Sequence, residues 1–287
     1  AALAKYVGCQ PQEVLVGNGG DEIISLIMNT FLNPGDTLLT HTPTFDIYGI
    51  DAEVLGAKVV TVSDLDGYRR NRDGLLAKVK ELQPKVTVLC NPNNPTGNCF
   101  PRAQIERIVR TFPGIVVLDE AYIDFADTPG LLGELDRFPN LIILQTLSKA
   151  WGMAGLRLGL AFAQEEIVET LSRVKYPYNI NVITQRAVLE RLETSIDGQV
   201  AEIVSERERV AEALRTLPAV RKIYPSQANF LLARFDDPRG VYERLIGEGI
   251  IVRDRSRVAG CEGCLRITIG TPAQNDRLIE TLKNETA

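Results

Sequence analysis

The sequence predicts an α/β protein, with a mainly parallel seven-stranded sheet sandwiched by helices and a smaller C-terminal α+β unit. Three observations carry that expectation. Short apolar, β-branched segments alternate with stretches of helical spacing up to residue 163, the pattern of repeated βαβ units. Turn-forming residues and residues able to do chemistry cluster directly after these segments, and ligands of such sheets sit outside the carboxyl ends of the strands. After Tyr176-Pro177 the texture changes to long, charged, helix-favouring stretches, which divides the chain into residues 1–180 and 181–287.

Bulk properties narrow the function. Of 287 residues, 45 % are apolar and 24 % charged, as in a globular domain with an ample core. A net charge of −5 argues against nucleic acid or an anionic membrane as partner. No apolar run is long enough to span a bilayer, and no signal peptide is visible. Five cysteines, an odd number, suit reduced thiols in a cytoplasm. Cys261 and Cys264 have ligand-like spacing, but no second pair completes a metal site. His41 is the only histidine, so proton transfer calls for another base, and lysine is the natural candidate.

Taken in order, Val14 to Val16 forms a strand, and Gly17-Asn18-Gly19-Gly20-Asp21-Glu22 opens a helix. A glycine turn at a helix start exposes backbone N–H groups that suit a phosphate. Thr37 to Thr40 is the next strand, and Phe45 after it either stacks on a planar ring or belongs to the core. Strands follow at Lys58 to Val62 and Val86 to Cys90, with a helix from Asp73 to Leu82 between them. Asn91-Pro92-Asn93-Asn94-Pro95-Thr96-Gly97 is a restricted turn able to aim the Asn94 amide at one point.

A helix from Arg102 to Phe112 leads to a strand from Ile115 that ends in Asp119, with Tyr122 three residues on. A carboxylate at the end of a buried strand needs a partner, because an unpaired charge there is costly. The strand from Leu141 runs into Thr146, Ser148 and Lys149, then Arg157 and a strand at Gly159 to Ala163. A lysine on the rim of a buried sheet has a depressed pKa and a nucleophilic amine. Taken alone, a Ser-Lys pair reads as a solvated loop; its convergence with Gly19, Asn94, Asp119 and Tyr122 past strand ends changes that reading. The remainder predicts helices over 182–216, strands at Val220–Tyr224, Phe230–Phe235 and Ile250–Arg253, a helix at Val241–Glu248 and an alternating strand from Leu265 to Gly270. That last strand puts Arg266, Thr268 and Gly270 on one face, and Pro272 starts a terminal helix.

These stretches, in this order and spacing, resemble the fold type I pyridoxal-phosphate aminotransferases, most closely the histidinol-phosphate aminotransferases. The resemblance implies that Lys149 bonds the cofactor aldehyde and moves the proton between Cα and C4′. It implies Asp119 at the pyridinium nitrogen, Asn94 and Tyr122 at O3′, and Phe45 on the ring face. The glycine turn at Gly19, the N–H groups of Gly20 and Asp21, the hydroxyls of Thr146 and Ser148, and Arg157 would hold the cofactor phosphate. Arg266 would grip the α-carboxylate of glutamate or 2-oxoglutarate, and Arg253 the substrate phosphate. A cytoplasmic homodimer and a step of histidine biosynthesis are implied in the same way.

Two features depart from the family. Position 20 is Gly where Ser or Ala is usual, harmless if only its N–H is used. The chain does not begin with Met, and residues 1–7 read as the tail of a helix, so the expectation is that a native N-terminal arm is missing. Other readings share the same machinery: an aromatic or broad-specificity aminotransferase, a phosphothreonine decarboxylase of this fold, or a non-catalytic cofactor-sensing regulator domain. A generic nucleotide-binding α/β domain leaves the convergence of Lys149, Asp119 and Asn94 unexplained.

Overall fold

Leu38, Leu39, Val86, Val88, Leu89, Val116 and Leu118 have no solvent exposure, which only the middle of a two-face-covered sheet provides. The computed structural model describes residues 2–283 and places these side chains in β2, β4 and β5 of a seven-stranded sheet: β1 (Val14–Gly17), β2 (Thr37–Thr42), β3 (Lys58–Ser63), β4 (Val86–Cys90), β5 (Ile115–Asp119), β6 (Leu141–Thr146) and β7 (Gly159–Phe162). Their spatial order is β1-β7-β6-β5-β4-β2-β3. β3, β2, β4, β5 and β6 run parallel. β7 is antiparallel to β6, and β1 is antiparallel to β7.

The reversal at β7 has a local cause. Parallel strands need a crossover, usually an α-helix. Residues 147–158 hold only a 3₁₀ turn at Ala154–Leu156, so the chain folds straight back. Thr146 pairs with Gly159, and Gly159 with Gly17. The segment after β6, the segment before β7 and the turn after β1 therefore meet on one edge.

Alternation along the strands separates two cores. Leu39, Leu118 and Ile143 face the layer that holds helices Arg72–Leu82 and Arg102–Thr111. Leu38, Val117, Ile142 and Leu144 face the layer of helices Gly20–Phe31 and Glu165–Val174. In the first of that pair Ile23, Ile24, Ile27 and Met28 form the buried stripe, an i, i+1, i+4, i+5 pattern.

A second, antiparallel sheet has the order β10-β11-β9-β8, from β8 (Val220–Ile223), β9 (Phe230–Phe235), β10 (Arg253–Asp254) and β11 (Cys264–Thr268). One expectation shifts here and another gains a boundary. The strand placed at Ile250–Arg253 pairs only from Arg253, because Gly249 turns the chain with a positive φ and Ile250 closes the helix end by bonding to Leu245. The helices expected over 182–216 are Val182–Arg191 and Asp197–Arg215, their boundary placed only by the structure, with the Ser195 hydroxyl accepting the Asp197 N–H at the start of the second. The break lets Val188 and Ile196 pack in the larger sheet's core while Val210 and Leu214 pack in the smaller one. The helical tail at residues 1–7 is a helix over Ala2–Val7; Ala1 lies outside the described residues.

Two measurements check this packing. A methyl group on Gly159 would meet the Gly19 carbonyl group and stand 2.6 Å from the Gly20 nitrogen, both backbone. Gly159→Ala is expected to lower the unfolding free energy by about 1–3 kcal/mol in urea titration, as overpacking does. Glu120 is buried beneath β5, accepting from the Leu131 N–H at 3.0 Å and the Gln145 amide at 3.1 Å. Burial raises its pKa from 4.5 to about 7. The folded protein therefore holds this proton more tightly than the unfolded chain, which stabilises it below pH 4.5 and is lost as pH rises through about 7. Glu120→Gln removes that dependence. The stability of the parent relative to this variant is expected to fall between these two pH values, by on the order of 3 kcal/mol, and then to level off.

Candidate active site

The carboxyl edge of the larger sheet carries a cavity of about 310 Å³, closed on its far side by β10 and β11. Its phosphate-sized corner forms where β1, β6 and β7 meet. Gly19 has φ of 89°, a left-handed conformation that glycine adopts without strain, and Gly20 begins the helix. A Cβ on Gly19 would stand 2.5 Å from the Arg157 guanidinium, so the missing side chain is what lets that group lie across the helix start. Arg157 Nη2 pairs with Asp21 at 3.1 Å. Thr146 Oγ1 donates to Ser148 Oγ at 2.9 Å and accepts the Ser148 N–H at 3.1 Å. A helix N-terminus, two hydroxyls and a planar guanidinium together make an oxyanion cradle.

Asp119 ends β5 on the cavity floor. Its carboxylate accepts the Tyr48 hydroxyl at 2.5 Å and the Ala121 N–H at 2.9 Å. Burial raises the pKa of Asp119, opposed by these two donors and by Lys149. Lys149 stands at the edge after β6 with its ammonium 5.2 Å from the centre of the Tyr122 ring. Among the described residues it has no hydrogen-bond or ion-pair partner. Burial, then the nearby Arg266, lowers its pKa, so its neutral amine is more accessible than that of an ordinary lysine. Tyr122 is itself pinned edge-on against Phe230, with ring centres 5.1 Å apart.

The smaller sheet supplies the remaining wall. Arg266 of β11 lies over the Phe230 ring at 5.0 Å and donates to Asn94 Oδ1 at 2.5 Å. Desolvation lowers its pKa, and Arg255 and Arg253 push in the same direction. Phe45 closes another side, edge-on to Tyr48 at 5.6 Å.

Every sequence-derived site residue except Gly19 lines this one cavity, and Gly19 acts from behind it through Arg157. Cys261 and Cys264 lie elsewhere, buried against the Tyr68 hydroxyl at 3.6 and 3.9 Å. Sequence reasoning missed Tyr48 and Arg255. Tyr48 falls three residues after Phe45 in the same stretch, but its partner is 71 residues away. The signal for Arg255 was the alternation Arg253-Asp254-Arg255, which puts two arginines on one strand face.

Comparison with known proteins agrees with this geometry. The family described as aminotransferase class I and II matches residues 1–282. The histidinol-phosphate aminotransferase of Parabacteroides distasonis is 46 % identical over 285 residues, covering 98 % of this chain and 82 % of that protein. The enzyme of the same name from Cytophaga hutchinsonii is 45 % identical over 285 residues, with the same coverage of 98 % and 82 %. The crystal structure of histidinol-phosphate aminotransferase from Sinorhizobium meliloti in complex with pyridoxal-5'-phosphate superposes with a TM-score of 0.92 at 26 % identity, covering 99 % of this chain and 79 % of that one. With a helix-start anion cradle, a buried acid and an unpaired lysine around one cavity, and a family match over nearly its whole length, this chain belongs to the class I and II aminotransferases.

Proposed function

We propose that this chain is a pyridoxal-phosphate-dependent transaminase acting on L-histidinol phosphate and 2-oxoglutarate, giving imidazole acetol phosphate and glutamate, a step of histidine biosynthesis. The single observation that carries the reading is the unpaired Lys149 amine sharing one cavity with the buried Asp119 carboxylate and a wall of arginines. The relatives named above support the choice of donor.

The residues present fit the cofactor. The cradle of Gly20, Asp21, Thr146, Ser148 and Arg157 suits its phosphate, and the Arg157 guanidinium can lie across the helix start only because Gly19 has no Cβ. Bound there, the cofactor supplies an electron sink for the pair left at Cα when its proton departs. Lys149 would bond the cofactor's aldehyde carbon and, when free, would carry the proton between Cα and C4′. Its lowered pKa serves both roles, since only the neutral amine is a nucleophile or a base. Asp119, held by Tyr48 and Ala121, keeps the ring nitrogen protonated. Asn94 and Tyr122 would bond O3′, and Phe45 would cover the ring. Arg266 receives the α-carboxylate of glutamate or 2-oxoglutarate, and Arg253 the donor's phosphate.

The same reading includes a homodimer. Tyr176, Tyr178, Val182, Ile183 and Leu189 are each more than half exposed along one stretch, a face that burial against a second copy would cover. It also includes a cytoplasmic location, which five free cysteines suit, and a division into units 1–180 and 181–287, which the smaller sheet's own core supports. Among the described residues no helix is long and apolar enough to cross a membrane.

Borohydride reduction of the cofactor-loaded protein followed by peptide mapping is expected to place the pyridoxyl adduct on Lys149; an adduct elsewhere overturns the site. Lys149→Ala is expected to lower kcat by about 10⁴-fold or more, as loss of a nucleophile that is also the proton carrier does. Among phenylalanine, phosphothreonine and histidinol phosphate, the last is expected to bleach the cofactor's visible band at the lowest concentration, without release of carbon dioxide.

A further inference from the structure

A third guanidinium on the cavity wall has no part in the roles given so far. β10 pairs Arg253 with Arg266 and Asp254 with Leu265, and the Arg255 N–H extends the ladder by donating to the Cys264 carbonyl at 2.9 Å. Strand alternation returns Arg255 to the face of Arg253, and all three arginines line the cavity. The Nε of Arg255 is buried without a hydrogen-bond partner, as is that of Arg266. Among the described residues none of the three is ion-paired to a carboxylate. Like charges and an orphaned donor held together in a part-buried wall are costly, and the cost is relieved only by a ligand that brings negative charge and acceptor oxygens.

The two partners of the proposed reaction differ in the charge they offer that wall. Glutamate presents a carboxylate, one charge on two oxygens, next to the reacting carbon. Histidinol phosphate has no carboxylate; a phosphate ester, with close to two charges at neutral pH and three free oxygens, stands on the carbon in its place. Arg266 alone matches a carboxylate. A larger, more charged group at the same position has oxygens to spare after Arg266 and Arg253 have each bonded one side of it, and Arg255 adds a third guanidinium with an unused donor.

We propose that Arg255 is a specificity-determining residue that lets this site accept a phosphate ester where it otherwise takes a carboxylate. This inference rests on the proposed function, so the test separates the two. On cofactor-loaded protein, each half-reaction is followed by loss of the cofactor's visible band, with histidinol phosphate and with glutamate as donor. For Arg255→Gln the ratio of kcat/KM for histidinol phosphate to that for glutamate is expected to fall about 10- to 100-fold, as loss of one charge-assisted contact predicts. Arg255→Lys should recover part of it, a point charge without the planar fork. A ratio within about threefold of the parent, whether both rates fall together or neither falls, overturns the proposal, since a structural role lowers both alike. Calorimetric titration of the same cofactor-loaded proteins with inorganic phosphate gives a second readout. Binding by the parent that weakens at least about tenfold in Arg255→Gln supports the assignment. Equal binding by both, or none by the parent, refutes it. A parent that reacts with glutamate but not with histidinol phosphate sinks the choice of donor, while the phosphate titration still decides the role of Arg255.

Discussion

The site depends on a place where two backbones touch with no side chain between them. Gly159 opens β7 in register with both Gly17 and Thr146, and any Cβ there would drive into the Gly19–Gly20 peptide. That contact seats the helix start against the sheet edge and brings Arg157 across it. Gly19 repeats the device one layer out, leaving room for the guanidinium where a methyl group would stand. The anion cradle is thus built from absences as much as from groups, and its geometry is set by the antiparallel return of β7 rather than by any single residue that bonds the anion.

Around that corner the charges are arranged for a guest. Asp119 is buried with two donors for the roughly four acceptor sites of its carboxylate, and burial raises its pKa. Lys149 is half-buried with no hydrogen-bond or ion-pair partner among the described residues, and Arg253, Arg255 and Arg266 line the same cavity with no carboxylate partner among them. In a structural core such a set is destabilising, because desolvation outweighs whatever Coulomb energy is recovered. The protein holds these groups apart by packing: Tyr48 on Asp119, Phe230 beneath both Tyr122 and Arg266, and Asn94 on Arg266. Under the proposed function each of these groups would meet a different part of a flat, phosphorylated ring and its amino substrate, so the cost in the free protein is the cost of preparing the site.

The smaller sheet is therefore part of the site and not an appendage. Arg266 donates to Asn94 across 172 residues, which ties the β11 strand to the rigid turn after β4. Gln227 N–H donates to the Gly97 carbonyl at 2.7 Å and fastens the same turn from the other side. The arginine wall and the strand-end edge are consequently fixed to one another through the loop Asn91 to Gly97, with further ties from Tyr68 to Gly260 and from Asp127 to Gln227.

Local sequence was sufficient for the strands and most of the helices, and with the family resemblance it supplied most of the polar residues of the cavity. The reason is that apolar alternation and turn chemistry act over a few residues, and a parallel sheet delivers whatever follows its strands to one edge. Strand ends drifted where a neighbour decided pairing, as at Ile250–Arg253, and the break between Arg191 and Asp197 followed from two cores competing for one stretch of chain. Only the tertiary structure decided the direction of β7, the Tyr48–Asp119 bond and the grouping of Arg253, Arg255 and Arg266. Those contacts join segments whose separation in sequence carries no periodic signal, and their existence depends on strand order and register, which the whole chain settles at once.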